Sequence, residues 1–357
     1  MYYKLADKIG IYFEDKFIEK FDAQMMDVLA QPSDEDEFKN CAATLSVGCI
    51  DKIDTEDCMP DGDNFYSSSK FVDTKLGVVI EKLSDTSFSI KANQDCSEWF
   101  MCMLEITMLS ADMTFAHCAA MEKDGKALFM PARGGVGKTA TVVKLVQEHG
   151  WRLMGDDLVI LDKASGSMYA YPKMFVIYGY HKDLFPQLFE KGKGPVKNDA
   201  ISHMMTKMIP TAKKVLRLVP GALAYARAHN PQQIRVYPKD IFKPEELAVK
   251  ADRIKKTVWL ERVATDDVGY AECAPENIAS RCAAITLSEL TYGSMNLNDS
   301  VLTMCGGGML NFEKIYNNIY EIVLSCVKGT DTHVLSIPKS IHIDNVSDVV
   351  FENVGVE

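Results

Sequence analysis

The sequence predicts an α/β protein, and three observations carry that expectation. After residue 113, apolar strand-like runs alternate with helical stretches, and a glycine-rich loop bearing a lysine lies between one such run and a helix. The 357 residues are 47% hydrophobic and 25% charged, the balance of a globular chain, which excludes disordered and collagen-like sequences. We place an acidic amino-terminal α+β domain over 1–112 and a larger α/β domain over 113–357.

Charge and cysteine usage narrow the function classes. The net charge is −11, yet residues 1–112 hold 10 Lys and Arg against 23 Asp and Glu, whereas 151–256 hold 19 bases against 10 acids. A locally cationic stretch in an acidic chain favours an anionic ligand. Nucleic acid is not expected as a partner, since no basic-aromatic reader motif is present. No apolar run reaches the roughly 20 residues of a membrane helix, and the start MYYKLADKIGIYFEDKF mixes acids and bases, unlike a signal peptide. A cytoplasmic protein without membrane association is the expectation. The ten cysteines have neither CxxC nor zinc-type spacing and read as reduced, mostly buried small hydrophobes.

Taken in order, Ser33–Glu37 and Asp57–Asn64 read as solvated loops. KFVDTKLGVVIEKLSDTSFSIKAN, over 70–93, reads as short strands around a Ser84-Asp85-Thr86 turn. Ser97 is a candidate cap for a buried connecting helix, SEWFMCMLEITMLS. Phe115–Met121 and Ala127–Met130 flank an Asp124-Gly125 turn, a strong hairpin signal. A helix is predicted from Lys138 to about Glu148, closed by Gly150. Trp151–Leu161 reads as a buried strand broken by Gly155-Asp156-Asp157. Residues 196–228 suggest helical or mobile structure, and Thr257–Glu261 a core strand. Gly306-Gly307-Gly308 reads as a turn before an amphipathic helix over Leu310–Cys326. A strand over His333–Ile337 and a short helix around Val346–Phe351 follow.

Ala132-Arg133-Gly134-Gly135-Val136-Gly137-Lys138-Thr139 matches the phosphate-binding pattern [AG]xxxxGK[ST]. Its glycines let successive N–H groups turn inward as an anion nest, Lys138 can bridge β- and γ-phosphates, and the Thr139 hydroxyl can ligate Mg²⁺. With Ala140, residues 134–139 form the candidate ATP-binding set. Asp156 and Asp157 begin 17 residues beyond Thr139, an interval that holds one helix and one strand. The pair is therefore expected at the mouth of the strand next to the loop, one carboxylate taking a hydroxyl proton and the other holding Mg²⁺.

The stretch from Ala116 to Asp162 resembles the kinase core of the HPr kinase/phosphorylase-like proteins, relatives of the ATP-dependent phosphoenolpyruvate carboxykinases. The resemblance implies a P-loop kinase core of that type with a smaller β-containing amino-terminal domain. It further implies Lys138 as the phosphate lysine, Thr139 and Asp157 as metal partners, Asp156 as general base and His117 as a histidine near the reacting phosphate. Weaker echoes are YAYPK over 169–173, KTVWLER over 256–262 and Ser336-Ile337-Pro338. Ala132, and Ala140 after Thr139, depart from HPr kinase itself, which carries Gly and a Ser-Glu pair there, so a divergent relative is expected.

These residues lead to an ATP- and Mg²⁺-dependent kinase acting on a hydroxyl acceptor, a protein serine or a small metabolite. Two alternatives stay open: a carboxykinase-like or shikimate-kinase-like small-molecule enzyme, and an ATP-binding regulator without catalysis. A shikimate-type core would have strands 115–121 and 127–131 parallel and apart. As phosphate clamps, Arg152, Lys173, Arg217, Arg227 and Arg235 are candidates, and Lys191–Pro195 reads as a solvated loop or a lid. His117 reads equally as a core histidine bonded to a carbonyl. The resemblance leaves room for a symmetric assembly of identical chains.

Overall fold

The computed structural model describes residues 1–15, 30–93, 96–171, 173–182, 184–190, 233–291 and 298–355. Its first sheet is built from β1 (Tyr2–Leu5), β2 (Ile9–Phe13), β3 (Ala30–Ser33), β4 (Ala43–Cys49), β5 (Met59–Asp61), β6 (Asn64–Tyr66), β7 (Lys70–Asp73), β8 (Val78–Lys82) and β9 (Ser87–Ala92). The spatial order is β3-β1-β2-β4-β9-β8-β7-β6-β5, with β4 parallel to both β2 and β9 and the other pairs antiparallel. In β4 the apolar Ala43, Leu45 and Val47 are buried while Thr44 and Ser46 between them are not, the two-residue period of a one-sided strand.

Two expected loops are instead regular. Asp34 accepts from the Glu37 N–H at 2.8 Å and caps a short exposed helix, α1 (Glu35–Lys39), so the acidic run is placed at the positive end of a helix. Met59–Tyr66 forms the β5–β6 hairpin, because Gly62 at φ +62° supplies the left-handed turn residue. The connecting helix, α2 (Ser97–Leu109), is buried as expected, but Cys96 rather than Ser97 stands at its N-cap.

The second sheet holds β10 (Met113–Lys123), β11 (Lys126–Pro131), β12 (Arg152–Gly155), β13 (Leu158–Asp162) and β14 (Met168–Tyr171). After the strand pair β15 (Phe175–Tyr178) and β16 (Gln233–Val236), it gains β17 (Lys250–Ala251), β18 (Arg253–Val263), β19 (Gly269–Glu272) and β20 (Asp331–Pro338). The order is β17-β14-β13-β10-β11-β18-β20-β19. β10 and β11 are adjacent and antiparallel, turning through Asp124 and Gly125 at φ +54° and +76°, as the Asp-Gly signal predicts. β11, β18 and β20 run parallel, so the P-loop leaves the sheet where three strands end together.

The helices are α3 (Lys138–His149), α4 (Pro186–Glu190), α5 (Pro238–Ile241), α6 (Pro275–Thr291), α7 (Asn298–Gly306), α8 (Phe312–Val327) and α9 (Val346–Val354). The architecture is mixed α/β, with one continuous apolar core joining both sheets to α2, α6 and α8. Lys8 reaches the buried Asp162 at 2.7 Å, tying the first sheet to β13. Residues 1–173 and 245–357 form one compact unit and 174–244 a second, so the expected division at residue 112 falls inside the first. Within the second unit, β15 pairs antiparallel with β16 and Phe175 packs on Phe185 and Phe242. Residues 196–228 and Lys191–Pro195, singled out in the sequence, lie outside the described residues. No helix among the described residues is long and apolar enough to cross a membrane. Cys96, Cys102, Cys118, Cys282 and Cys326 are buried, whereas the other five cysteines are partly exposed, so burial holds for half of them.

Candidate functional site

β11 ends at Pro131, and the loop that follows enters α3 through Gly137 at φ +98°. Gly137 also lies against Val346, where an added Cβ would come within 2.8 Å of the valine Cβ, so glycine is needed on both counts. The N-cap residue of α3 is Gly137, which has no side chain to cap the helix, so the first turn presents its positive end toward the loop. The buried Lys138 folds back along the loop, its Nζ donating to Ala132 O at 3.2 Å and Arg133 O at 3.1 Å. Gly134 and Gly135 have open space around them, the latter at φ +78°.

The aspartates do not end a strand beside the loop. β12 and β13 are two halves of one line antiparallel to β10, with a register shift at Met154, opposite the Ala120–Met121 step, and a bend at Asp156-Asp157 where the two halves join; β10 stands between this line and β11. A Cβ on Gly155 would collide with Leu158 O, so the tight bend requires glycine. Within the bend, Cys118 N–H donates to Asp157 O at 3.1 Å, so the register on β10 is kept.

There the two acids acquire different neighbours. Thr139 Oγ1 donates to Asp156 Oδ2 at 2.7 Å. Asp157 Oδ1 is 2.9 Å from His117 Nε2, and Lys173 Nζ donates to Asp157 Oδ2 at 2.8 Å. His117, buried on β10, also places Nδ1 2.6 Å from Ala132 O, the first residue of the loop. The carbonyl bond is the one expected of a core histidine, and the same ring also orients a site carboxylate. Both ring nitrogens face acceptors, so both bonds form only when each carries a proton.

Electrostatics separates the acids further. Burial pushes the Asp156 carboxyl up to about 7, against the pull of the Thr139 hydroxyl and the Lys138 ammonium. Burial would raise Asp157 as well, but the His117 hydrogen bond and the Lys173 charge outweigh it and hold that carboxyl far below the usual range. Asp156 Oδ1 is buried and has no hydrogen-bond partner among the described residues. An orphaned carboxylate oxygen beside a hydroxyl is a hard, two-point oxygen set, which suits Mg²⁺ that takes its other ligands from phosphate and water. Among the described residues no group of three or more His, Cys, Asp or Glu side chains could hold a metal ion.

Other sequence candidates divide. Lys173 joins the site through Asp157. Arg152 instead pairs with the buried Glu122 at 2.5 Å, which also accepts from Gly125 N–H, so it staples the hairpin turn. Arg235 is exposed on β16 of the second unit, and Arg217 and Arg227 lie outside the described residues. Sequence reasoning missed the approach of α9 to Gly137 and the division of the aspartates between Thr139 and His117. No protein-family model matches this chain, and no curated protein does.

Proposed function

We propose that the protein is an ATP- and Mg²⁺-dependent phosphotransferase that moves the γ-phosphoryl group to a hydroxyl acceptor, with a core of the HPr kinase/phosphorylase-like type. The observation that carries this reading is the Thr139–Asp156 hydrogen bond of 2.7 Å beside Lys138. A hydroxyl and a carboxylate meeting at the start of the P-loop helix is the pairing that P-loop NTPases use for Mg²⁺. The order hairpin, P-loop, helix, antiparallel strand bent at Asp156-Asp157 supports the finer assignment, and the adjacent antiparallel β10 and β11 speak against a shikimate-type core.

In this reading Lys138 and the α3 N–H groups bind phosphate, while Thr139 and Asp156 hold the cation. Bound Mg²⁺ would neutralise phosphate charge. Asp157 receives the acceptor, exchanging the two aspartate roles the resemblance implies. Its side chain is 40% exposed and is held anionic and oriented by His117 and Lys173. The acceptor oxygen forms a bond to phosphorus, the bond to the bridging oxygen of ADP breaks, and the hydroxyl proton passes to Asp157. A weak base suffices, because in a loose transition state that proton leaves late.

The test uses γ-labelled ATP with pooled metabolites and with heat-denatured cell protein. Label moves to an isolable acceptor with the wild type and falls by roughly 10²-fold or more with Lys138→Ala. Asp156→Asn raises the Mg²⁺ concentration needed, whereas Asp157→Asn lowers turnover at an unchanged Mg²⁺ requirement. Full transfer by Lys138→Ala would sink the proposal, and ATP binding without transfer to any fraction would favour a regulator.

A further inference from the structure

We infer that Arg262 is a positioning residue for the P-loop and acts on it through the carboxyl-terminal helix α9. The inference deepens the reading of that loop as the ATP site and rests on it only for its consequence in nucleotide affinity.

β18 reaches the start of the loop through a parallel bridge between Leu260 and Ala132. Two residues further on, Arg262 Nη2 donates to Lys339 O at 3.2 Å and to Ile341 O. Those carbonyls belong to the turn between β20 and α9, which continues through Ile341 N–H to Pro338 O and Asn345 N–H to His342 O. One amino group thus holds two successive points of the turn that delivers Val346. Val346 is fully buried and is the residue packed on Gly137, at the entry to α3.

The rest of α9 runs along α3. Asp348 pairs with Lys144, and Phe351 stacks on His149 with ring centroids 4.2 Å apart and planes inclined by 22°. At the far end Lys256 Nζ donates to Val354 O at 2.7 Å. β18 therefore anchors both ends of α9, Arg262 at the entry and Lys256 at the exit, and α9 in turn bears on the P-loop helix. The entry contact touches a residue of the phosphate loop. Gly137 at φ +98° is in a conformation that its own side chain cannot enforce, so the apposed valine limits how far the loop can open. Arg262 sets where that valine stands. A guanidinium suits the task because the two N–H bonds of one planar amino group address two carbonyls in a fixed plane, which an ammonium does not. Its Nη1 is buried with no partner among the described residues.

The test compares amide hydrogen exchange across 132–140 in full-length wild type, Arg262→Gln, Val346→Ala and the double variant. Each single variant should speed exchange in this segment about tenfold while β10 and β11 stay protected, and the double variant should be no faster than the worse single one. ATP affinity should fall in parallel. Unchanged exchange in a cooperatively melting Arg262→Gln, or effects of the two substitutions that multiply, would overturn the inference. If Arg262→Gln does not fold, Arg262→Lys, which keeps one cationic donor near the turn, carries the same comparison. A wild type that binds no ATP would sink the functional reading alone, and exchange would still decide the role of Arg262.

Discussion

His117 Nε2 meets Asp157 Oδ1 at 2.9 Å while Nδ1 of the same ring meets Ala132 O at 2.6 Å, so one side chain couples the aspartate bend to the start of the P-loop. Asp157 is a depressed carboxyl in the fold. A depressed carboxyl adds stability above its ordinary value near 4, and that stability is lost as pH falls. His117→Ala should therefore destabilise the protein by about 1–3 kcal/mol at pH 7, discounted for the partial exposure of Asp157. In denaturant titrations the gap from wild type should narrow as pH drops below about 4. A gap of constant size across pH would show that the histidine acts through packing alone.

Asp156 has the opposite sign. Its carboxyl is pushed up to about 7, so the fold holds a proton that the unfolded chain loses near 4. The wild type should lose stability as pH rises from about 4 to 7. Asp156→Asn keeps an oxygen for Thr139 and removes that dependence. At pH 8 it should be more stable than wild type by a few kcal/mol at most, and equal to it below about pH 4. Saturating Mg²⁺ and ATP should reverse the order by favouring the ionised wild-type carboxylate. Thermal melts at pH 4 and 8, with and without Mg²⁺ and ATP, decide it.

How much of this was legible in the sequence depends on the range of the interaction. Asp124-Gly125, Gly137-Lys138 and Gly150 each act over a few residues, so the hairpin, the loop entry and the end of α3 follow from local rules. The buried α2 and the amphipathic α8 follow from their apolar patterning. What local rules could not reach is pairing across the chain. β10 inserts between β11 and the β12–β13 line, so the Asp156-Asp157 pair lies one strand farther from the loop than its sequence spacing suggests. Residues 33–37 and 57–64 are solvated, as their polar composition implies, but they are not loops. The helix cap of Asp34 and the left-handed turn at Gly62 make them regular.

Glu105 offers a test away from the aspartates. It is fully buried in α2, shares a short hydrogen bond with Thr114 and accepts from Phe115 N–H at 2.8 Å, while Thr286 Oγ1 donates to Phe115 O at 3.2 Å. Side chains here serve the edge of β10 that β11 does not reach. Burial pushes the Glu105 carboxyl up to about 8, against the pull of Thr114 and Phe115. Stability should fall with rising pH between about 4 and 8 on this account. Glu105→Gln should flatten that slope with little loss at neutral pH. Glu105→Ala should cost about 2–4 kcal/mol, since it leaves a buried N–H unpaired and opens a cavity. Equal effects of the two substitutions would contradict a protonated, hydrogen-bonded carboxyl.

Gly155 and Gly134 separate what the fold needs from what a ligand needs. Gly155→Ala would drive a Cβ into Leu158 O, and the backbone must shift to relieve it. The bend would open, costing about 1–3 kcal/mol and displacing both aspartates together. Gly134 has nothing within 4 Å of an added Cβ and no left-handed φ, so Gly134→Ala should melt within about 0.5 kcal/mol of wild type. If the loop cradles phosphate through its backbone, that same methyl group stands in the path of the ligand, and ATP affinity should fall even though the melt does not. Calorimetric titration of ATP into the two variants, beside their melting curves, reads both effects. A Gly134→Ala protein that binds ATP as tightly as wild type would mean that phosphate does not approach the loop from this side.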